Sequence, residues 1–151
     1  KQGEIDVPLV LVGGKGWLFE EVFTTIDELN LHEKVRHLTG IFDEQLAHLY
    51  HAAGVLVTSL HYEGFGLLAL EAMHCGCPVI VSNRGSLPEV AGEAGLQLSL
   101  DEEAVWTDAL RRVLTDSALR QTMIERGHAQ AKTFTWQKAA QMTLQIYKNV
   151  F

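Results

Sequence analysis

Short apolar runs rich in β-branched residues alternate with segments of helical period along most of this chain of 151 residues. The runs lie at residues 8–12, 35–38, 55–58, 78–82 and 95–98, and their lengths and composition are typical of strands. The first run is followed directly by glycines and is predicted to be a buried strand that ends in a turn. Because parallel strands need crossovers that cover the sheet, the predicted fold class is α/β, a Rossmann-like parallel sheet with helices on both faces.

The segments between the runs are predicted to form helices at residues 17–29, 43–53 and 66–74, with a short helix beginning at Leu87. Three further helices, at residues 101–115, 118–132 and 136–150, predict a helical C-terminal tail. Residue types and spacing predict five capping residues, which are Asn30, Asp43, Ser86, Ser99 and Thr135. Three tryptophans at helix starts or on apolar stripes are predicted to pack in the core: Trp17, Trp106 and Trp136.

Charge and composition restrict the partners of the chain. The formal net charge is −7 and the Lys and Arg residues are scattered, so nucleic acid is not an expected partner. No apolar run approaches the roughly 18 residues that span a bilayer, and no secretory signal is present, so we expect a cytoplasmic protein without a transmembrane segment. Cys75 and Cys77 are too close in sequence for an ordinary disulfide and are predicted to be reduced, packed thiols.

Metal binding is not predicted. His48 and His51 are three positions apart on one predicted helix, but no third ligand is placed to complete a site with them. We therefore predict two surface histidines, no metal site and no cofactor.

Ligands of open parallel sheets bind outside the carboxyl ends of the strands, which selects the loops at residues 13–16, 39–43 and 59–66. The third loop carries most of the chemistry, because its sequence places Glu63 and Glu71 eight positions apart around Gly64 and Gly66. Glycine lets the backbone adopt positive φ and approach a ligand closely. This loop is therefore the predicted binding site.

The start of the helix that follows this loop suits a pyrophosphate, because its first N–H groups, near Leu67 and Leu68, point at whatever lies there. Glu71 would repel a phosphate, but its carboxylate can accept two hydroxyl protons, which is what a ribose diol requires. Glu63 would face the opposite end of the same ligand.

The stretch from Glu63 to Glu71, continued by Ala72-Met73, Gly76, Pro78-Val79-Ile80 and Ser86-Leu87-Pro88-Glu89-Val90, resembles the retaining GT-B glycosyltransferases of group 1, also called family four. Their signature is a glutamate, seven residues and a second glutamate. The resemblance extends over nearly the whole chain, from LVLVGGKGW through GIFDEQLAHLY to Phe134-Thr135-Trp136.

The resemblance implies a role for each residue that matches the family's motif. Glu63 would be the catalytic contact to hydroxyls of the donor sugar, and Glu71 would bind the ribose. The seat of the sugar and diphosphate would comprise Glu63, Gly64, Phe65, Gly66, Leu67 and Leu68. Ile41 and Phe42 would contact the base. Leu68 stands where the family usually has proline, and unlike proline it keeps its N–H.

The same resemblance implies that residues 1–151 are a single nucleotide-sugar-binding domain, the C-terminal half of a GT-B fold. The acceptor domain and the first βα unit, which carries a basic Arg and Lys pair in the family, would precede residue 1. Lys15 and Arg84 are nearby basic residues that could replace the pair, and solvated surface charge is the alternative for both. A peripheral membrane association would come through the preceding domain.

The implied reaction is retaining, metal-independent transfer of a hexosyl unit from a nucleotide diphosphate sugar to an acceptor hydroxyl. GDP-mannose and a UDP-hexose are the expected donors. The chain alone is expected to be inactive, because the reacting atoms of a GT-B enzyme meet between two domains.

Two other functions remain open. Gly14 and Gly16 follow a strand as in dinucleotide-binding domains, although the third glycine of that fingerprint is absent from residues 17–19. The second alternative is a non-catalytic module with a Rossmann-like fold that binds a nucleotide or a sugar nucleotide without turnover.

Overall fold

The computed structural model of the chain describes residues 5–16 and 19–150. They fall into two compact units, Lys1–Leu46 and Ala47–Phe151.

The first unit is built on a parallel pair of strands. Strand β1 (Leu9–Val12) leads to helix α1 (Glu20–Glu28) and strand β2 (Val35–Leu38), and the chain then enters helix α2 (Asp43–Ala52). The two strands are in register from Leu9 opposite Val35 to Val12 opposite Leu38. This is the βαβ arrangement that the alternating pattern predicts.

The end of α1 confirms the capping role predicted for Asn30. This residue has a left-handed φ of 57°. Its N–H donates to Asp27 O at 3.1 Å, and Leu31 N donates to Ile26 O at 2.9 Å. These are the two hydrogen bonds of a Schellman motif, which satisfies the last carbonyls of a helix. At the other end α1 begins at Glu20, and the predicted start at Trp17 lies outside the described residues.

The prediction that β1 is buried is wrong. Leu9 is 53% exposed and Val12 is 45% exposed. Among the described strands β1 pairs with β2 alone, and α1 buries only Ile26. An apolar run predicts a strand whose side chains suit burial. Whether the strand is buried depends on the layers that pack against it.

The second unit contains a three-stranded parallel sheet in the order β3-β4-β5. Its strands are β3 (Leu56–Thr58), β4 (Val79–Ser82) and β5 (Leu96–Leu98). Between them lie α3 (Leu67–His74), α4 (Leu87–Ala91) and a 3₁₀ turn at Gly92–Ala94. Every residue of the central strand β4 is buried. Parallel strands flanked by helices confirm the predicted α/β class.

Three helices complete the second unit, as predicted: α5 (Glu103–Thr115), α6 (Ser117–Ala131) and α7 (Trp136–Val150). The first two cover the sheet through a buried cluster of Ile80, Ala109, Val113 and Met123. Trp106 packs against this cluster, as predicted.

The core position predicted for Trp136 is wrong, because this side chain is 85% exposed. It opens α7, a helix in which no residue is buried. Periodicity identifies the apolar face of such a helix but not a surface that covers it.

The predicted helix starts are correct to within two residues in the second unit, but their caps differ in part. Thr135 caps α7 as predicted, with its Oγ1 accepting from Lys138 N at 3.1 Å. Ser86 and Ser99 make no side-chain capping bond. Asp116, which the pattern did not select, caps α6 by accepting from two backbone amides. In the residues described here, no helix has the length and apolar content needed to cross a membrane.

Candidate functional site

The turn from β3 into α3 carries the Gly-rich motif of the second unit. Gly66 is the N-cap of α3 and has a φ of 95° and a ψ of 39°, in the left-handed region. A Cβ at this position would lie 3.1 Å from Leu87 Cδ2. Gly66 therefore meets both requirements that favour glycine here, a positive φ and a close approach to a neighbouring helix.

The first amides of α3 are available to a ligand. Gly66 N donates to Glu63 Oε1 at 3.3 Å, and Ala69 N donates to Gly66 O at 3.1 Å. Between them, the N–H groups of Leu67 and Leu68 have no acceptor among the described residues. The first turn of α3 contains no acidic residue. Two free donors at the positive end of a helix dipole have the chemistry to bind an anionic oxygen.

The loop that follows β4 holds the backbone of Glu63 in place. Ser86 Oγ donates to Glu63 O at 2.9 Å, and Ser86 N donates to the same oxygen at 3.3 Å. Gly85 has a φ of 57°, and a Cβ there would lie 2.7 Å from Glu63 O. At the end of β4 itself, buried Ser82 donates from Oγ to Leu60 O at 2.6 Å. The Glu63 loop is thus tied to the sheet by the neighbouring strand and its loop.

Glu71 lies one turn into α3 and is exposed. Tyr50 OH, from the last turn of α2, donates to Glu71 Oε2 at 3.2 Å. Burial raises the pKa of Tyr50, and the charge of Glu71 raises it further. Because a raised pKa keeps the phenol protonated, Tyr50 remains a hydrogen-bond donor throughout the physiological pH range.

The two free cysteines lie just beyond Glu71. Burial raises the pKa of Cys75, and the charge of Glu71 adds to the effect. Burial raises the pKa of Cys77 to about 11. Both thiols are therefore weak nucleophiles at neutral pH.

Phe65 contributes packing as well as its amide. Its ring meets the ring of Phe134 edge to face, with centroids 6.1 Å apart and an interplanar angle of 87°. Phe134 lies in the turn between α6 and α7. The aromatic pair anchors the middle of the Gly-rich loop, while Gly64 beside it is exposed and open to solvent.

The residues predicted to contact a base lie in the first unit. Ile41 and Phe42 follow β2, and the Phe42 ring is 75% exposed. Phe42 N donates to Gln45 Oε1 at 3.0 Å, which fixes the start of α2. The segment from Ile41 to Gln45 lines an open depression of about 600 Å³.

The two basic candidates have partners of their own. The Lys15 ammonium lies 5.0 Å from the ring centroid of Phe19 and 5.6 Å from that of Phe23. Arg84 Nη2 lies 3.7 Å from Asp101 Oδ2. Both interactions are at exposed positions, where they are weak. In residues 5–16 and 19–150 no three His, Cys, Asp or Glu side chains are grouped so that they could hold a metal ion.

The sequence pattern does not assign three residues to this site that contact its glutamates in the structure: Tyr50, Gly85 and Ser86. Tyr50 had a usable signal, because a tyrosine on the apolar side of a helix needs a partner for its hydroxyl. Ser86 was selected for another role, the cap of α4, and its hydroxyl bonds the backbone of Glu63 instead.

Comparison with known families matches residues 1–130 to the model described as glycosyl transferases group 1. Among curated proteins, the chain is 39% identical over 141 residues to the O-antigen chain mannosyltransferase B of Escherichia coli, covering 93% of this chain and 37% of that protein. It is 33% identical over 140 residues to a D-inositol 3-phosphate glycosyltransferase of Corynebacterium jeikeium, covering 91% and 33%. The chain thus spans 37% and 33% of the lengths of these two relatives.

Solved structures share the fold. Sucrose-phosphate synthase of Thermosynechococcus elongatus superimposes with a TM-score of 0.80 at 33% identity, over 95% of this chain and 38% of that one. Anabaena HepE, solved in complex with UDP and glucose, superimposes with a TM-score of 0.84 at 22% identity, over 98% and 42%.

Proposed function

The chain belongs to the group 1 glycosyl transferases, and we propose that its part in the family's reaction is to bind the donor, a nucleotide diphosphate sugar. The diphosphate binds at the start of α3, Glu71 binds the ribose, and Glu63 binds hydroxyls of the donor sugar. Ile41 and Phe42 contact the base.

One observation carries the proposal: the Leu67 and Leu68 amides are free at the positive end of α3, with no acidic side chain in its first turn. Such a helix start binds a phosphate through backbone donors and the helix dipole, even in a protein of net negative charge. Glu63 precedes α3 and Glu71 lies within it. Their carboxylates can accept hydrogen bonds from the neutral, hydroxyl-rich parts of the same ligand.

The names of similar proteins guide the choice of donor. HepE is solved with UDP and with UDP-glucose, and an Escherichia coli relative is a mannosyltransferase. A UDP-hexose and GDP-mannose are therefore the donors that we propose to test.

In the proposed reaction the bond from the sugar to the diphosphate breaks, and negative charge develops on the leaving phosphate oxygens. Fixed N–H dipoles at the start of α3 stabilise that charge without reorganising. The transition state is oxocarbenium-like, and the configuration at the anomeric carbon is retained. The acceptor hydroxyl comes from a site on another domain of a longer parent protein, so this chain alone binds donor without transferring it.

Metal independence, a cytoplasmic location and peripheral membrane association belong to the same proposal. The helix dipole and backbone donors supply part of the charge stabilisation that a metal would otherwise give.

The proposal is tested by calorimetry of the wild-type chain and the Glu71→Ala variant with UDP and GDP. Loss of a charge-assisted hydrogen bond to the ribose should weaken nucleotide binding by about 1–3 kcal/mol. Glu125→Ala, which removes an exposed carboxylate from α6, is the matched control and should bind as the wild type does. Unchanged affinity of Glu71→Ala for every nucleotide that binds would exclude the ribose role.

A further inference from the structure

The Glu71 carboxylate, which is exposed, is held by a buried tyrosine from another helix. Tyr50 is only 6% exposed, and its hydroxyl reaches Glu71 Oε2 at 3.2 Å. Within the described chain this is the one hydrogen bond of the Glu71 side chain, so Oε1 has no partner there.

We propose that Tyr50 is a positioning residue for ribose recognition, which orients the Glu71 carboxylate before the nucleotide binds. This inference rests on the proposed function, because it assigns Tyr50 a role through Glu71. Tyr50 itself would touch neither the nucleotide nor the sugar.

Geometry and chemistry support an orienting role. A free glutamate side chain samples several rotamers, and fixing it on binding costs up to about 2 kcal/mol of entropy. A hydrogen-bond donor that is itself fixed by burial restricts the glutamate before the ligand arrives. Less entropy is then lost on binding, which is how preorganisation raises affinity. Tyr50 suits this role because the rest of its side chain is packed and only the hydroxyl has a defined polar partner.

The choice of a phenol over a cation has a consequence. A lysine or arginine would neutralise Glu71 and occupy more of its acceptor sites. A neutral hydroxyl uses one of roughly four lone-pair positions and leaves the others for the two hydroxyls of a ribose. Tyr50 therefore orients the Glu71 carboxylate and leaves its negative charge and most of its acceptor positions available.

The test compares each nucleotide with its analogue lacking the ribose hydroxyls, using calorimetry with UDP, GDP and their 2′,3′-dideoxy forms. Tyr50→Phe should lower the affinity for the ribonucleotides about 3- to 10-fold, the range for one net hydrogen bond. The affinity for the dideoxy analogues should stay unchanged. In the Glu71→Ala background, Tyr50→Phe should cause no further loss, because the two residues act as one unit. Tyr147→Phe, at an exposed tyrosine of α7, is the control and should alter neither ligand.

The alternatives give different results. If Tyr50→Phe lowers the affinity for ribonucleotides and for dideoxy analogues equally, Tyr50 has only a structural role and the inference is overturned. The inference also fails if Tyr50→Phe changes nothing while Glu71→Ala removes the preference for ribose, and the role of Glu71 then stands. If Glu71→Ala leaves the ribose preference intact, the proposed role of Glu71 is wrong and the inference falls with it.

Discussion

At the scale of single residues, the two glutamates of the motif differ in what holds them. Glu63 is bound through its backbone carbonyl to Ser86, and its carboxylate accepts from Gly66 N. Glu71 is held through its carboxylate by Tyr50. The first arrangement fixes a turn at the start of α3, and the second orients an exposed side chain. The difference supports separate roles for the two carboxylates.

We expect Glu63→Gln to separate the sugar from the nucleotide. The amide oxygen of glutamine can still accept from Gly66 N, so the turn should persist, but the charged acceptor for sugar hydroxyls is lost. Affinity for UDP-glucose or GDP-mannose should fall about 10-fold, while affinity for UDP or GDP stays nearly constant. Calorimetry with both ligand types makes the comparison, and equal losses for both would refute the division of labour.

Residue identity and spacing were enough to select both glutamates and the glycine at 66, because motif and backbone requirement are local. They could not reveal the Tyr50 contact. Tyr50 and Glu71 are 21 positions apart, and they meet only because the fold brings the last turn of α2 within hydrogen-bond reach of α3. Nor does the spacing of Ser86 and Glu89 show that the serine hydroxyl bonds Glu63 instead of capping a helix.

At the scale of elements, the loop between β4 and α4 supports the Glu63 turn from outside. Its contribution is geometric: a φ of 57° at Gly85 and no room for a side chain against Glu63. Apart from the 3₁₀ turn at Gly92–Ala94, element types and order were predictable in the described part of the second unit, since apolar runs and helical periods are local signals. The way one loop supports another depends on tertiary packing.

Gly85→Ala should lower the free energy of unfolding of the second unit by more than the cost of placing an alanine in a left-handed backbone conformation. A left-handed alanine costs about 1–2 kcal/mol, and displacement of the Glu63 backbone should add about 1–3 kcal/mol. Gly76→Ala is the matched control, because its φ is 72° and the nearest atom, at 3.2 Å, belongs to the His128 ring, which can move. Urea denaturation measures both variants, and equal losses would show that Gly85 does not press on the Glu63 turn.

At the scale of the whole molecule, each unit has an element whose apolar residues stay largely exposed, β1 in the first unit and α7 in the second. The pattern predicted both elements correctly but predicted burial for β1 and Trp136. Hydrophobic period identifies the face that suits burial, whereas burial itself requires a second surface. The site on α3 depends on neither face, because its residues are held within the second unit by β4, α2 and the loop before α4.

The central claim is that a nucleotide diphosphate binds at the start of α3. Its most direct test is ¹H–¹⁵N NMR of the 151-residue chain titrated with UDP and with GDP. The amide signals of Gly66, Leu67 and Leu68 should shift most and saturate with added nucleotide, and salt should weaken the effect. Saturable shifts confined to other turns, such as residues 99–102 before α5, or no saturable shift with either nucleotide, would contradict the account.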